Sequence, residues 1–249
     1  MTTGRPEPAR VAIPVREPDG SGASGEATKD RLAVLLAGHD LLLLASRLLW
    51  WPAERTLFAA DVHLGKAERF RRLGVPVPDG PTTDTLDRLA DAVERHGARH
   101  LVVLGDLLHA EGSATPELGR RWQAWRERSA GLEVTLVRGN HDRQSGDPPP
   151  DWAVRTVAPG EVWQGLVLCH EPPPASGLPT GFALAGHVHP GVVLYGRAGD
   201  RLRLPCFVCG PHRLVLPAFG AFTGLHPMRP GPGERQVAVC DGSLLTLPG

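Results

Sequence analysis

Five apolar runs along the chain each end in a short polar block of similar chemical character. TLFAA leads into Asp61-Val62-His63, LVVL into Gly105-Asp106, and VTLVR into Gly139-Asn140-His141-Asp142. LVLC leads into His170, and FALA into Gly186-His187-Val188-His189. A short run that is apolar on both faces reads as a buried strand. Open α/β sheets build their sites at the C-terminal ends of such strands. Each run therefore predicts a strand that hands a polar side chain to a common edge.

Between these runs the period changes. Leu86, Leu89, Ala90 and Val93 form an i, i+3, i+4, i+7 stripe within residues 82–96, with Pro81 and Asp84 suited to a helix start and Gly97 to its stop. Thr115-Pro116-Glu117 reads as an N-cap, a first-position proline and an acidic first turn, opening a helix that runs to about Ala130. Strands are predicted at about 41–45, 47–51, 55–60, 99–104 and 132–137. The alternation makes a βαβαβ core, for which parallel pairing and right-handed crossovers are expected. After Asp151 the apolar runs are short and broken by Gly and Pro, so mainly antiparallel strands without helices are expected. Strands on both sides of the common edge predict an α/β (α+β) fold of two sheets packed face to face, with helices outside. The proline clusters at 148–150 and 172–174 mark stiff rim loops. Residues 1–28, rich in Gly, Pro, Ser, Glu and Arg, read as a disordered tail ahead of a single domain over 29–249.

Composition narrows the class without changing that picture. A chain of 249 residues with 41% hydrophobic and 22% charged positions is long enough for one substantial core. Lys plus Arg equals Asp plus Glu at 27 each, which argues against coating nucleic acid by bulk charge but leaves room for a local basic patch. No apolar stretch approaches the roughly 18 residues of a membrane helix, and no apolar signal core opens the chain. Cys169, Cys206, Cys209 and Cys240 do not form a disulfide framework for a domain this large, so a reducing cytoplasm is expected.

For ligation the blocks supply Asp61 and Asp106, an asparagine and several histidines. That mixture suits a pair of first-row divalent ions better than magnesium or calcium, which favour oxygen alone. Asp61 and His63 can face one ion, Asp106 can bridge through its two oxygens, and Asn140 offers a neutral carbonyl. His170, His187 and His189 complete two shells. Two such ions can hold a bridging hydroxide for in-line attack on phosphorus. His141 is then placed to contact the phosphate and act as general acid, with Asp142 expected to orient its ring. The ligand set permits Mn, Fe, Zn or Co.

The order Asp-x-His, Gly-Asp, Gly-Asn-His-Asp, His, Gly-His-x-His, intact from Asp61 to His189, resembles the calcineurin-like metallophosphoesterase superfamily. The resemblance implies a four-layer sandwich of two mixed sheets with flanking helices. It implies Asp61, His63, Asp106 and His189 around the first metal, and Asp106, Asn140, His170 and His187 around the second. The flanks are narrower in kind. Asp61-Val-His-Leu-Gly-Lys66-Ala, Phe70-Arg71, Gly74-Val-Pro-Val-Pro78, Gly105-Asp-Leu-Leu-His109, His170-Glu171-Pro172, Gly186-His-Val-His-Pro190 and Leu216-Pro-Ala-Phe-Gly-Ala-Phe-Thr-Gly224 resemble the ligase-associated DNA-damage-response endonuclease (PdeM) family. Ala110 and Leu225 depart from that pattern where serine and glycine are common. The resemblance implies a manganese-dependent phosphodiesterase acting on DNA or nucleotides, associated with a DNA ligase and a helicase in repair.

Alternatives remain open at the sequence level. A cyclic-nucleotide phosphodiesterase or a phosphomonoesterase would use the same ligands, and a non-catalytic scaffold would be expected to have lost some of them. His109, three residues past Asp106, either reaches substrate or caps a loop. The run Lys66-Ala-Glu-Arg-Phe-Arg71-Arg72 is either a solvated helix face or a grip on a polyanion, with Lys66 and Arg71 its leading contacts. Trp122 and Trp125 read as packing, and Cys206-x-x-Cys209 as buried thiols without a partner pair.

Overall fold

The computed structural model describes residues 30–77, 80–174, 176, 178, 181–196 and 199–247. The expected tail over 1–28 and Pro78 of the Gly74–Pro78 motif lie outside these residues.

The first sheet runs in sequence order through β1 (Arg31–Leu36), β2 (His39–Leu44), β3 (Leu48–Trp51), β4 (Thr56–Ala59), β5 (His100–Leu104), β6 (Glu133–Val137) and β7 (Val154–Val157). The strands β1 to β4 form an antiparallel meander, and β4 to β7 pair in parallel. Helices α1 (Lys66–Arg72) and α2 (Pro81–His96) cross from β4 to β5, α3 (Pro116–Arg128) from β5 to β6, and the short α4 (Asn140–Ser145) follows β6. The parallel βαβαβ core is as expected. The starts and stops also match: Thr115 Oγ1 accepts from Leu118 N at 3.1 Å at the head of α3, and Gly97 ends α2 in the left-handed conformation at φ 58°.

Strand alternation decides what each sheet face buries. Leu57, Ala59, Leu101 and Val103 pack under the helices with Leu86, Leu89 and Trp122. Their neighbours Phe58, Ala60, Val102 and Leu104 point the other way, into the interface between the sheets. Trp122 and Trp125 are packing residues: Trp122 stacks on Trp152 at 4.7 Å and donates to its carbonyl at 3.1 Å.

The second sheet comprises β8 (Glu161–Trp163), β9 (Leu166–Leu168), β10 (Phe182–Ala185), β11 (Pro190–Tyr195), β12 (Arg201–Cys209), β13 (Arg213–Val215), β14 (His226–Pro227), β15 (Arg235–Cys240) and β16 (Ser243–Thr246). It faces the first through Leu166, Leu168, Phe182, Leu184, Phe207 and Leu214. Most of its pairings are antiparallel, but its centre, β9-β10-β13, and the edge pair β11–β14 are parallel. That parallel centre gives β9 and β10 a common C-terminal edge. Two mixed sheets thus lie face to face. Among the described residues the long helices α2 and α3 lie on the first sheet, while on the second sheet's outer face Val188, Val192, Leu194 and Met228 cover Cys206 and Val208. Cys206 and Cys209 are buried and unbridged, and burial pushes both thiols up to about 12. No helix among the described residues is long and apolar enough to cross a membrane.

Candidate metal centre

The C-terminal ends of β4, β5 and β6 in one sheet and β9 and β10 in the other meet at one place, where all five polar blocks gather. Two groups of side chains have donor atoms within 4.8 Å of one another: Asp61, His63 and His189, and Asp106, His170 and His187. Asp61, His63, Asp106 and His170 are buried, and Asn140, His187 and His189 partly so. A third group, His63, His109 and His141, shares His63 with the first.

The backbone holds these residues in a tight frame. The first two blocks pair along their length, with His63 N donating to Asp106 O at 2.8 Å, Leu64 N to Leu107 O at 2.8 Å and His109 N to Leu64 O at 3.1 Å. Asp61, His63, Asp106, His187 and His189 all have left-handed φ, between 47° and 71°. Each such residue costs about 1–3 kcal/mol and persists only where its surroundings over-determine it. Five of the eleven described non-glycine residues with left-handed φ thus fall in the ligand blocks. The second and third blocks open on glycine for a steric reason: a Cβ on Gly105 would collide with the His170 ring, and one on Gly139 with the Asp106 carboxylate.

Donor chemistry tests whether the cluster fits cations. His170 Nδ1 lies 3.0 Å from the Leu104 carbonyl, which can only accept, so that nitrogen carries the proton. In the neutral ring His170 Nε2 then presents a lone pair, and it faces Asn140 Oδ1 at 2.8 Å, His187 Nδ1 at 3.0 Å and Asp106 Oδ1 at 3.4 Å. A proton on His187 Nδ1 could serve one of these contacts. The two oxygens would still confront a nitrogen lone pair, an arrangement that a cation among them relieves. At the neighbouring group, His63 Nε2 lies 3.3 Å from His189 Nε2 and 3.8 Å from Asp106 Oδ2, and His189 Nε2 lies 3.6 Å from Asp61 Oδ1. Asp61 also accepts from His187 N at 2.9 and 3.1 Å, tying the last block to the first.

The electrostatics agree with that chemistry. Burial, then the neighbouring Asp61 charge, raises Asp106 to about 7. Burial holds His63 and His187 below the usual imidazole range, and at His63 the Lys66 charge adds to it. Imidazoles kept neutral beside a carboxylate reluctant to ionise are ligands in want of positive charge.

One sequence expectation changes here. Asp142 does not touch the His141 ring. Its carboxylate is taken up by three backbone donors, Asp106 N at 2.7 Å, Gly139 N at 2.9 Å and Leu108 N at 3.2 Å. The short α4 turns Asp142 inward to lock the second block to the third. The His141 ring is oriented instead by the His109 carbonyl, 2.5 Å from Nδ1. That leaves Nε2 as the free nitrogen, 4.0 Å from Asp106 Oδ2. The carbonyls of Leu104 and His109 could not be anticipated along the chain, since a main-chain acceptor carries no residue signature. His109 itself lies against the cluster, its ring stacked 5.2 Å from that of His141. Burial, then the Lys66 charge, lowers it to about 4. Lys66 begins α1 beside the ligands and is half-buried, with burial lowering its pKa against the pull of Asp106 and Asp61. Arg71, on the same helix, lies 3.7 Å from Glu68.

Two facing mixed sheets with His and Asp groups converging at their strand ends define a metal-dependent phosphoesterase. The family model for calcineurin-like phosphoesterases matches residues 54–203, and the chain belongs to that family. The crystal structure of Pseudomonas putida nuclease MPE is similar to this chain at 39% identity and a TM-score of 0.76, covering 87% of this chain and 100% of that one. YfcE, a phosphoesterase from E. coli, is 18% identical with a TM-score of 0.38, over 75% of this chain and 88% of that one. No curated protein matches the chain.

Proposed function

We propose that this phosphoesterase is a binuclear phosphodiesterase that cleaves DNA, with manganese as its working metal and a cytoplasmic role in repair alongside a ligase and a helicase. The observation that carries the binuclear reading is the gathering of Asn140 Oδ1, Asp106 Oδ1 and His187 Nδ1 around His170 Nε2, next to the separate Asp61-centred group. Asp61, His63, Asp106 and His189 would hold one ion, and Asp106, Asn140, His170 and His187 the other. Ions there would supply Lewis acidity at the phosphoryl oxygens and a water activated near neutral pH. The 39% identity to a nuclease over the whole of that chain supports a nucleic-acid diester as substrate, and the flanking motifs support the repair setting.

The chain's own residues have distinct work. His141, with Nδ1–H committed to the His109 carbonyl, presents Nε2 to the site and, when protonated, gives that proton to the departing oxygen. Asp142 keeps Asp106 and the Gly139 turn in register. Lys66 and the basic face of α1 attract the phosphate chain. A matrix of metals against bis-nitrophenyl phosphate and nitrophenyl phosphate tests the reading. Strong turnover of the diester with manganese is expected, and a large monoester preference would overturn it. His141→Ala should lower cleavage of an alkyl-leaving diester about 10²–10⁴-fold. The loss should shrink for a nitrophenolate leaving group, which needs no proton, and full activity on both would remove the acid role.

A further inference from the structure

The segment Leu216–Gly224 is singled out by the sequence yet supplies no donor to either ligand group. In the fold it runs directly over the first block. Ala60 bridges to Ala218, Phe219 N donates to Ala60 O at 2.8 Å and Gly220 N to Asp61 O at 3.1 Å. The approach is close enough that a Cβ on Gly220 would meet the Val62 carbonyl at 2.6 Å. Arg88 clamps the segment from outside, donating to Phe219 O at 3.1 Å and lying 4.2 Å from the centre of the Phe219 ring. Thr223 closes the turn by donating to Gly220 O at 3.0 Å. All this fastening ends in a side chain that is not packed away: Phe222 is 42% exposed.

Phe222 terminates a file of rings that begins inside the site. The His141 and His109 rings stack at 5.2 Å and 22°, His109 and Phe70 lie near-parallel at 6.3 Å and 21°, and Phe70 meets Phe222 edge-on at 5.9 Å. Phe70 belongs to α1, the helix that also carries Lys66, Arg69, Arg71 and Arg72. A rigid, partly exposed aromatic surface beside cationic side chains, leading to the group assigned to the leaving oxygen, is the composition of a base-stacking platform.

We propose that Phe222, backed by Phe70, is the subsite for a nucleobase flanking the scissile phosphate, so that the enzyme selects diesters bearing a planar group there. The proposal rests on the phosphodiesterase reading above and adds a specificity element to it. Thymidine 5′-monophosphate and methyl phosphate share the phosphate and differ in the base-bearing nucleoside, so calorimetric titration of both into the manganese-loaded protein isolates the subsite. Wild type should bind the nucleotide more tightly. Phe222→Ala should shrink that preference about 5–150-fold, the usual range for one stacked base, and Phe222→Trp should retain it. A wild type without preference, or an alanine variant that keeps it, overturns the subsite. Failure of wild type to hydrolyse bis-nitrophenyl phosphate, which places a planar ring on either side of the phosphorus, would instead strike the phosphodiesterase reading.

Discussion

The two sheets contribute unequally to the metal centre. The first supplies every carboxylate in the two ligand groups, Asp61 and Asp106, together with His63; the second supplies His170, His187 and His189. Each group mixes residues from both sheets, so neither half contains a complete set. Holding also differs. The first sheet's blocks brace one another along the main chain, and the second sheet's blocks are joined by Gly186 N donating to His170 O at 2.9 Å, but the second sheet's histidines also lean across the gap. His170 leans on Leu104 O at 3.0 Å and His187 N on the Asp61 carboxylate. Each half is therefore braced within its own sheet, and the imidazole half is additionally tied to the carboxylate half. Cations bound between them would tie the two sheets together as well as serve chemistry.

Four perturbations break or sharpen that contrast, from largest to smallest. Asp106→Ala removes the carboxylate lying between the groups and should lower the catalytic rate about 10³–10⁴-fold, the worth of several kcal/mol of metal-supported stabilisation. Removing an imidazole from the second sheet, as in His189→Ala, should cost less, and steady-state kinetics at saturating manganese compares the two. Trp122→Ala, in the helix-side core away from the ligands, should destabilise the fold by about 3–5 kcal/mol in urea melts. The rate per folded molecule should stay the same, and a comparable fall in that rate would mean that the core and the site are not separable. Asp142→Asn keeps the shape but weakens acceptance from three backbone donors, so manganese affinity should fall about 10–100-fold. An unchanged affinity would show that the main-chain pairing suffices to hold the blocks.

The smallest effect is a pH dependence of the metal-free protein. Asp106 is raised from 3.8 to about 7, so its ionisation opposes folding and the stability it allows at low pH is lost as pH rises from about 4 to 7. Relative to wild type with chelator present, Asp106→Asn should gain stability over that window. Each tenfold difference in proton affinity between the folded and unfolded chains is worth about 1.4 kcal/mol, and paired thermal melts read the gain. A difference that stays flat with pH would contradict the burial argument. Saturating manganese should erase or reverse the trend, because the ions favour the ionised carboxylate.

Much of the centre was legible because periodicity and residue chemistry coincide at strand ends. Asp61, Asp106 and His170 each follow an apolar run whose burial is now evident, and Thr115 and Gly97 bound their helices as local capping predicts. What escaped was long-range or carried by the main chain. β1, an edge strand with alternating exposure, had too weak a pattern to separate from what precedes it. Asp142 next to His141 in sequence implied a contact that the helical turn of α4 prevents, since adjacent residues on a helix point in different directions. Phe222 was part of a recognisable segment, but nothing local distinguishes a ring held beside a site from a ring in a core.

By itself the sequence determined which residue types were available for metal chemistry, their order, and the βαβαβ half that carries the carboxylates, because these depend on short-range pattern and propensity. Tertiary structure decided the partners: which lone pairs face each other, that the His109 carbonyl rather than Asp142 orients His141, and that Phe222 ends a file of rings leading outward from the site. Those outcomes depend on how two sheets pack and on backbone groups common to every residue, and so have no signature along the chain.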